Sequence, residues 1–137
     1  MNRALIDTDI LSYYLKGDRE VVSNFEKYLD YYDIIEISII TYYEIISGLH
    51  AKNAFKQLKI FEKFISENLI LPLTEESAKL SAEIYANLRK SGNIVDDIDL
   101  FIAGIAIENE MTLVTNNDSH FKRIPELKTE NWKKKAL

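Results

Sequence analysis

The chain has 137 residues, 47% of them apolar and 28% charged, which suits one soluble domain with a real core and leaves no room for two. A net charge of −5 and a pI near 5.1 argue against a non-specific nucleic-acid coat, which would be basic. They leave room for an enzyme acting on RNA, because clustered acidic metal ligands lower the same count and bound cations reverse its local sign. The absence of cysteine excludes disulfides, zinc–thiolate sites and thiol catalysis. No stretch approaches the roughly 18 apolar residues of a membrane span. The opening Met1-Asn2-Arg3 lacks a signal-peptide layout, so a cytoplasmic protein is expected.

Ala4-Leu5-Ile6 is a short apolar run ending at Asp7 and predicts a buried strand. Ile10 to Leu15 predicts a helix stopped at Lys16-Gly17, where glycine supplies the C-cap. Asp18 to Tyr32 carries Val21, Val22, Phe25, Tyr28, Leu29 and Tyr32 at helical spacing, with Asp18 as N-cap. The β-branched run Ile34 to Ile39 predicts a second strand, and Thr41 to Leu49 a helix. Ala54 to Ser66 predicts an amphipathic helix with Phe55, Leu58, Phe61 and Ile65 on one side.

Leu69 to Leu73 predicts a third strand that Pro72 confines to an edge or a turn. Glu75 to Lys90 predicts a helix with Ala78, Ser81, Ala82, Tyr85 and Leu88 inward, ended by Gly92-Asn93. Ile98 to Glu108 predicts a helix whose Ala103, Gly104 and Ala106 let it lie close to a sheet. Thr112 to Thr115 predicts a strand, Asn116 to His120 a polar loop, and Leu127 to Trp132 an edge strand before a lysine-rich tail. Strands alternate with helices, which predicts a parallel α/β sheet covered on both faces, without repeats or a linker.

Three acids stand out by position. Asp7 follows the first strand, Glu44 lies early in the helix after the second, and Asp99 lies near the start of the helix before Thr112 to Thr115. Parallel sheets bind ligands beyond the carboxyl ends of their strands. Each acid also has a structural reading. Asp7 suits an N-cap, Thr41-Tyr42-Tyr43-Glu44 matches a capping box, and Asp99 suits the same part with Asp96 as cap. Position alone leaves the two readings open.

The flanking residues add a resemblance. Leu5-Ile6-Asp7-Thr8-Asp9-Ile10-Leu11-Ser12 resembles the opening of PIN domains of the VapC toxin family. Ser38-Ile39-Ile40-Thr41-Tyr42-Tyr43-Glu44-Ile45-Ile46-Ser47-Gly48 resembles its second motif, and Asp99-Leu100-Phe101-Ile102-Ala103-Gly104-Ile105-Ala106 its third. Leu113-Val114-Thr115-Asn116-Asn117 with Phe121, Leu127 and Glu130-Asn131-Trp132 resembles its C-terminal end. Each motif is weak alone, and four in order span nearly the whole chain.

The resemblance implies a single PIN-like domain over residues 1–137, with a parallel sheet of four or five strands between helices. It implies a magnesium- or manganese-dependent endoribonuclease, the toxin half of a toxin–antitoxin pair that inhibits translation. Asp7, Glu44 and Asp99 would hold the ion, and hydrolysis would leave a 5′-phosphate and a 3′-hydroxyl. Asn117 would complete the site by register, with Asp118 the alternative if the loop shifts by one residue. Asp96 and Asp97 would add water-mediated contacts. The implied partners are RNA, such as tRNA, a VapB-like antitoxin whose Arg or Lys enters the acidic pocket, and a second copy of the chain. The tyrosines concentrated from Tyr13 to Tyr43 suit such an interface in part.

The chemistry agrees with the residue types. Magnesium takes oxygen ligands, and one like-charged pair about 4 Å apart costs roughly 4 kcal/mol at an effective dielectric of 20. Clustered carboxylates therefore hold a cation, share protons or meet a basic side chain. His50 and His120 lack a recognisable pairing and are expected at the surface. Lys16, Lys52, Lys56, Arg89 and Lys90 are candidate phosphate contacts against a default of solvated surface, and Lys133-Lys134-Lys135 forms a basic tail.

Three competing readings remain. Asp7-Thr8-Asp9 mimics a haloacid-dehalogenase-like phosphatase, although Asp96-Asp97 lacks the upstream lysine of that family. A PIN nuclease of RNA processing fits the same motifs. A binding module whose acids only cap helices predicts no metal binding.

Overall fold

The computed structural model describes residues 1–134. Five parallel strands form one sheet in the order β3-β2-β1-β4-β5: β1 (Ala4–Ile6), β2 (Glu36–Ser38), β3 (Leu69–Leu71), β4 (Thr112–Val114) and β5 (Thr129–Glu130). The helices are α1 (Thr8–Leu15), α2 (Arg19–Leu29), α3 (Ile39–Ala51), α4 (Phe55–Ser66), α5 (Glu75–Lys90), α6 (Asp97–Glu108) and α7 (Asp118–Phe121). No helix among the described residues is long and apolar enough to cross a membrane.

Alternation along the strands divides the core in two, as the two-residue period of a strand requires. Ala4 and Ile6 of β1 face a layer that holds Ile10, Leu11, Phe25, Tyr28, Phe61 and Trp132. Leu5, between them, faces the other layer, with Ile84, Leu88, Ile102, Ile105 and Phe121. The first layer belongs to α1–α4 and the second to α5–α7. Helices therefore cover both faces, and Leu71-Pro72 ends an edge strand as the sequence predicts.

Several elements differ from the sequence expectation. The helix α5 turns Ser77, Ser81, Ile84 and Leu88 inward, while Ala78, Ala82 and Tyr85 are exposed. Its partner is α6, and the contact is polar at close range. Ser81 Oγ donates to Leu100 O (2.7 Å), and a Cβ on Gly104 would stand 2.2 Å from Ser81 Oγ and 2.5 Å from Ser77 O. Gly104 thus serves a close helix–helix approach, while Ala103 and Ala106 sit in the core layer with Leu5 and Leu113 of the sheet.

Phe55 is exposed, and the segment after β4 forms the short helix α7 in place of a loop. The last strand is only Thr129–Glu130. Trp132 turns back into the core with its ring edge-on to Phe25, 5.3 Å between centroids. Lys133 and Lys134 are pinned, to Asp18 and Asp118 respectively, so that part of the basic tail is folded down. Lys135 lies outside the described residues.

Candidate active site

The strand β1 is wholly buried and delivers Asp7 at its carboxyl end in extended backbone (φ −73°, ψ 160°), at the N-cap of α1. Asp7 does cap, with Oδ1 accepting from Thr8 N–H at 2.8 Å, but its second oxygen is committed across the sheet. Oδ2 accepts from the Thr115 hydroxyl at 2.8 Å, just beyond β4. The Asp7 N–H reaches Val114 O at 2.9 Å, which locks the two strand ends together. Burial and the nearby charge of Asp9 push the Asp7 carboxyl up to about 7, against the opposing pull of Thr115 and the Thr8 N–H.

Asp9, in the first turn of α1, belongs to the same cluster. Its Oδ1 accepts from Ile10 N–H (2.7 Å) and its Oδ2 from Asn116 N–H (3.0 Å), tying the loop after β4 to α1. Burial raises its pKa above the ordinary carboxylate range, and Asp99 adds to the rise. Asp99 stands in the first turn of α6 and is also raised by burial, with His120 opposing and Asp96 assisting. His120 Nδ1 lies 3.5 Å from Asp99 Oδ2. Asp96 occupies the N-cap position of α6 but makes no side-chain cap bond.

Glu44 enters from α3 through an intermediary. Ser38 caps that helix, taking the Thr41 N–H at 3.0 Å, so the capping box expected at Thr41 and Glu44 does not form. Thr41 is instead one turn inside the helix. This frees Glu44, whose Oε1 accepts from the Thr8 hydroxyl at 2.6 Å; Thr8 Oγ1 is also 3.0 Å from Thr41 Oγ1. One residue of α1 thus carries the link between Asp7 and Glu44.

The loop after β4 separates the two candidates for a fourth position. Asn117 N–H donates to Thr115 Oγ1 (3.0 Å), behind the hydroxyl that holds Asp7. The Asp118 carboxylate is taken by Lys134 at 3.1 Å, and this pairing lowers its pKa. Asn116 Oδ1 accepts from Asn131 Nδ2 (3.0 Å), which anchors the loop to the C-terminal segment.

A family model for the PIN domain matches residues 4–127. The chain belongs to the PIN-domain family, in its VapC ribonuclease branch. It is 33% identical over 130 residues to Ribonuclease VapC1 of Methanocaldococcus jannaschii, covering 91% of this chain and 83% of that protein. It is 36% identical over 97 residues to the tRNA(fMet)-specific endonuclease VapC of Salmonella typhimurium, covering 70% and 74%. Among solved structures, VapBC2 from Rickettsia felis bound to a DNA fragment from its promoter superposes with a TM-score of 0.85 at 32% identity, covering 94% of this chain and 98% of that one.

Of the residues named from sequence, Asp7 and Asp99 come within electrostatic reach of each other, and Glu44 joins Asp7 through Thr8. Asn117 joins the group through its backbone. Sequence reasoning gave Asp9 a chemical part only in the rival phosphatase motif, and it placed His120 at the surface, where its side chain is 43% exposed, without foreseeing Asp99 beside it. Asp9 could have been found as a second acid in a first helical turn directly after a strand-end acid, where free N–H groups favour carboxylates. His120 left no such trace, because only the packing of α7 beside α6 brings it to Asp99.

The donor set is carboxylate oxygen, which suits a hard divalent ion. Among the described residues no three acids or histidines form a ready-made cage. Magnesium does not require one, since it commonly keeps several waters and takes one or two carboxylates with substrate phosphate completing its shell.

Proposed function

We propose that the chain is a single PIN domain acting as a divalent-metal-dependent endoribonuclease, the toxin of a toxin–antitoxin pair that blocks translation by cutting RNA. The observation that carries this reading is the Asp7–Asp9–Asp99 cluster at the carboxyl end of the sheet. Burial raises all three carboxylates, Asp9 and Asp99 raise Asp7 further, and Asp99 raises Asp9, while His120 stands beside Asp99. Such a cluster at this place in a parallel sheet suits a divalent cation.

Asp7 and Asp99 would hold Mg²⁺ or Mn²⁺, with Glu44 contributing directly or through water. A bound divalent ion would supply activation of water and neutralisation of charge on the scissile phosphate. The chain's own residues do the rest. Thr115 and the Thr8 N–H fix the Asp7 oxygens in place. Thr8 orients Glu44 and Asp9 holds the β4–α7 loop. One of these carboxylates would accept the proton of the attacking water.

The relatives' activities support the choice of RNA. One is a ribonuclease and another an endonuclease specific for tRNA(fMet). The complexed state of the VapBC2 structure supports a VapB-like antitoxin as partner. The test is cleavage of total cellular RNA by antitoxin-free protein with Mg²⁺, with Mn²⁺ and with EDTA, alongside Asp7→Asn and Asp99→Asn. Discrete fragments that require metal and vanish in both variants are expected. Metal-independent cleavage, or full activity in both variants, would sink the proposal.

A further inference from the structure

Beside β5, at the edge of the sheet, lies a surface groove of about 690 Å³. Its walls hold three cations, Arg19 and Lys27 of α2 and Lys134 after β5, together with the amides of Asn24 and Asn131. Two acids, Glu20 and Glu130, also line it, and Lys134 is paired with Asp118, so among the described residues the cations left without an ion pair on its walls are Arg19 and Lys27.

One wall of the groove is tied to the acidic cluster by hydrogen bonds. Asn131 Nδ2 donates to Asn116 Oδ1, and Asn116 N–H donates to Asp9 Oδ2, each at 3.0 Å. Lys134 holds Asp118 in the same loop.

Arg19 and Lys27 are exposed, and neither makes a salt bridge among the described residues, in contrast to Lys133, which is committed to Asp18. Eight residues apart on one helix, they sit two turns from each other, about 12 Å along the same face. On the α6 side the cluster is bordered by further acids, Asp96 and Asp97, which repel phosphate. A polyanion whose scissile phosphate lies at Asp7 and Asp99 meets the unpaired Arg19 and Lys27 where its strand runs over the β5 edge. Its volume is within the usual range of ligand pockets and admits a short stretch of single strand.

We infer that this groove seats the RNA strand adjoining the scissile phosphate, with Arg19 and Lys27 contacting the sugar–phosphate backbone. The inference rests on the ribonuclease reading above. Of the cations singled out from sequence, Lys134 of the basic tail lines this groove, whereas Lys16, Lys52, Lys56, Arg89 and Lys90 do not, because spacing along the chain does not show which cations border the site.

The test measures binding of fluorescein-labelled unfractionated tRNA by anisotropy in Mg²⁺, in the Asp7→Asn background to prevent cleavage, over a series of salt concentrations. Arg19→Glu with Lys27→Glu is expected to weaken binding at least about tenfold at low salt. It should also lower the slope of log K against log salt by roughly 1 to 2, since each phosphate contact on a single strand contributes about 0.7. Arg19→Ala with Lys27→Ala should give a smaller shift in the same direction, and serves if charge reversal disturbs the fold. Lys59→Glu with Lys63→Glu, on α4 near the opposite edge of the sheet, makes the same change in net charge and should weaken binding by less than about threefold. Wild-type affinity in both groove pairs, or equal loss in the α4 pair, overturns the inference. If the unmodified protein still cleaves RNA, the ribonuclease reading stands without it. If the unmodified protein neither binds nor cleaves RNA with Mg²⁺ or Mn²⁺, both fall.

Discussion

Two carboxylates are buried to the same degree at opposite ends of one sheet. Glu36, opening β2, is 6% exposed, and Asp7, closing β1, is 7% exposed. Glu36 receives both arms of Arg3, at 2.6 and 2.7 Å, and Arg3 also reaches Asn109 O. Asp7 receives a hydroxyl and one backbone N–H, and its charged neighbours include Asp9 and Asp99. A buried charge is tolerated when a geometrically matched cation accompanies it, and Glu36 has one within the chain. Asp7 has none among the described residues, so its ionised form is costly. The first arrangement stabilises a fold, and the second marks a site whose perturbed pKa points to chemistry.

The largest expected effect is catalytic. Asp7→Asn or Asp99→Asn should lower cleavage by at least about a thousandfold, equivalent to roughly 4 kcal/mol of barrier, and EDTA should match it. Glu36→Gln, equally buried, should leave a measurable rate, and an equal loss there would break the contrast between the two ends.

Stability should respond in the opposite sense. Arg3→Ala strands the Glu36 carboxylate and should cost about 1–3 kcal/mol in urea unfolding. Asp7→Asn should stabilise the metal-free protein near neutral pH. The folded Asp7 pKa is raised, so its favourable contribution is complete below about pH 4, the unfolded value, and is lost as pH rises through about 7. Metal-free protein should therefore lose up to about 2–4 kcal/mol between those limits. Asp7→Asn should flatten that slope, and Mg²⁺ should restore stability most at the high-pH end, where the carboxylate is free to bind it. A pH-independent Mg²⁺ effect on the melting temperature would contradict this.

Gly104→Ala tests the α5–α6 contact that supports Asp99. Overlap with Ser81 and the Ser77 carbonyl should destabilise by about 1–3 kcal/mol, read by thermal melting. Asn131→Ala should have the smallest effect, about 1 kcal/mol, from the lost bond to Asn116. Its signature is a fall in metal affinity by calorimetry that Asn131→Gln partly recovers.

Elements and order were legible in the chain because apolar spacing reports burial directly. Boundaries were less so. Ser38 takes the helix start from Thr41, and this shift of one turn releases Glu44 from the capping bond that sequence assigned to it. The inward face of α5 was misjudged because alanine reads as core, whereas close helix contact here selected serines opposite a glycine.

By itself the sequence determined the alternation of strands and helices, the strand-end position of Asp7, and the motifs that place the chain among PIN domains. These follow from local patterns: side-chain period, caps, and residues next to a strand end. Tertiary structure alone decided that Asp9 joins the cluster, that His120 meets Asp99 and that Lys134 takes Asp118. It also decided that Thr115 grips Asp7 across 108 residues of chain. Those pairings depend on which strand ends become neighbours in the order β2-β1-β4-β5, a long-range outcome that spacing along the chain does not encode.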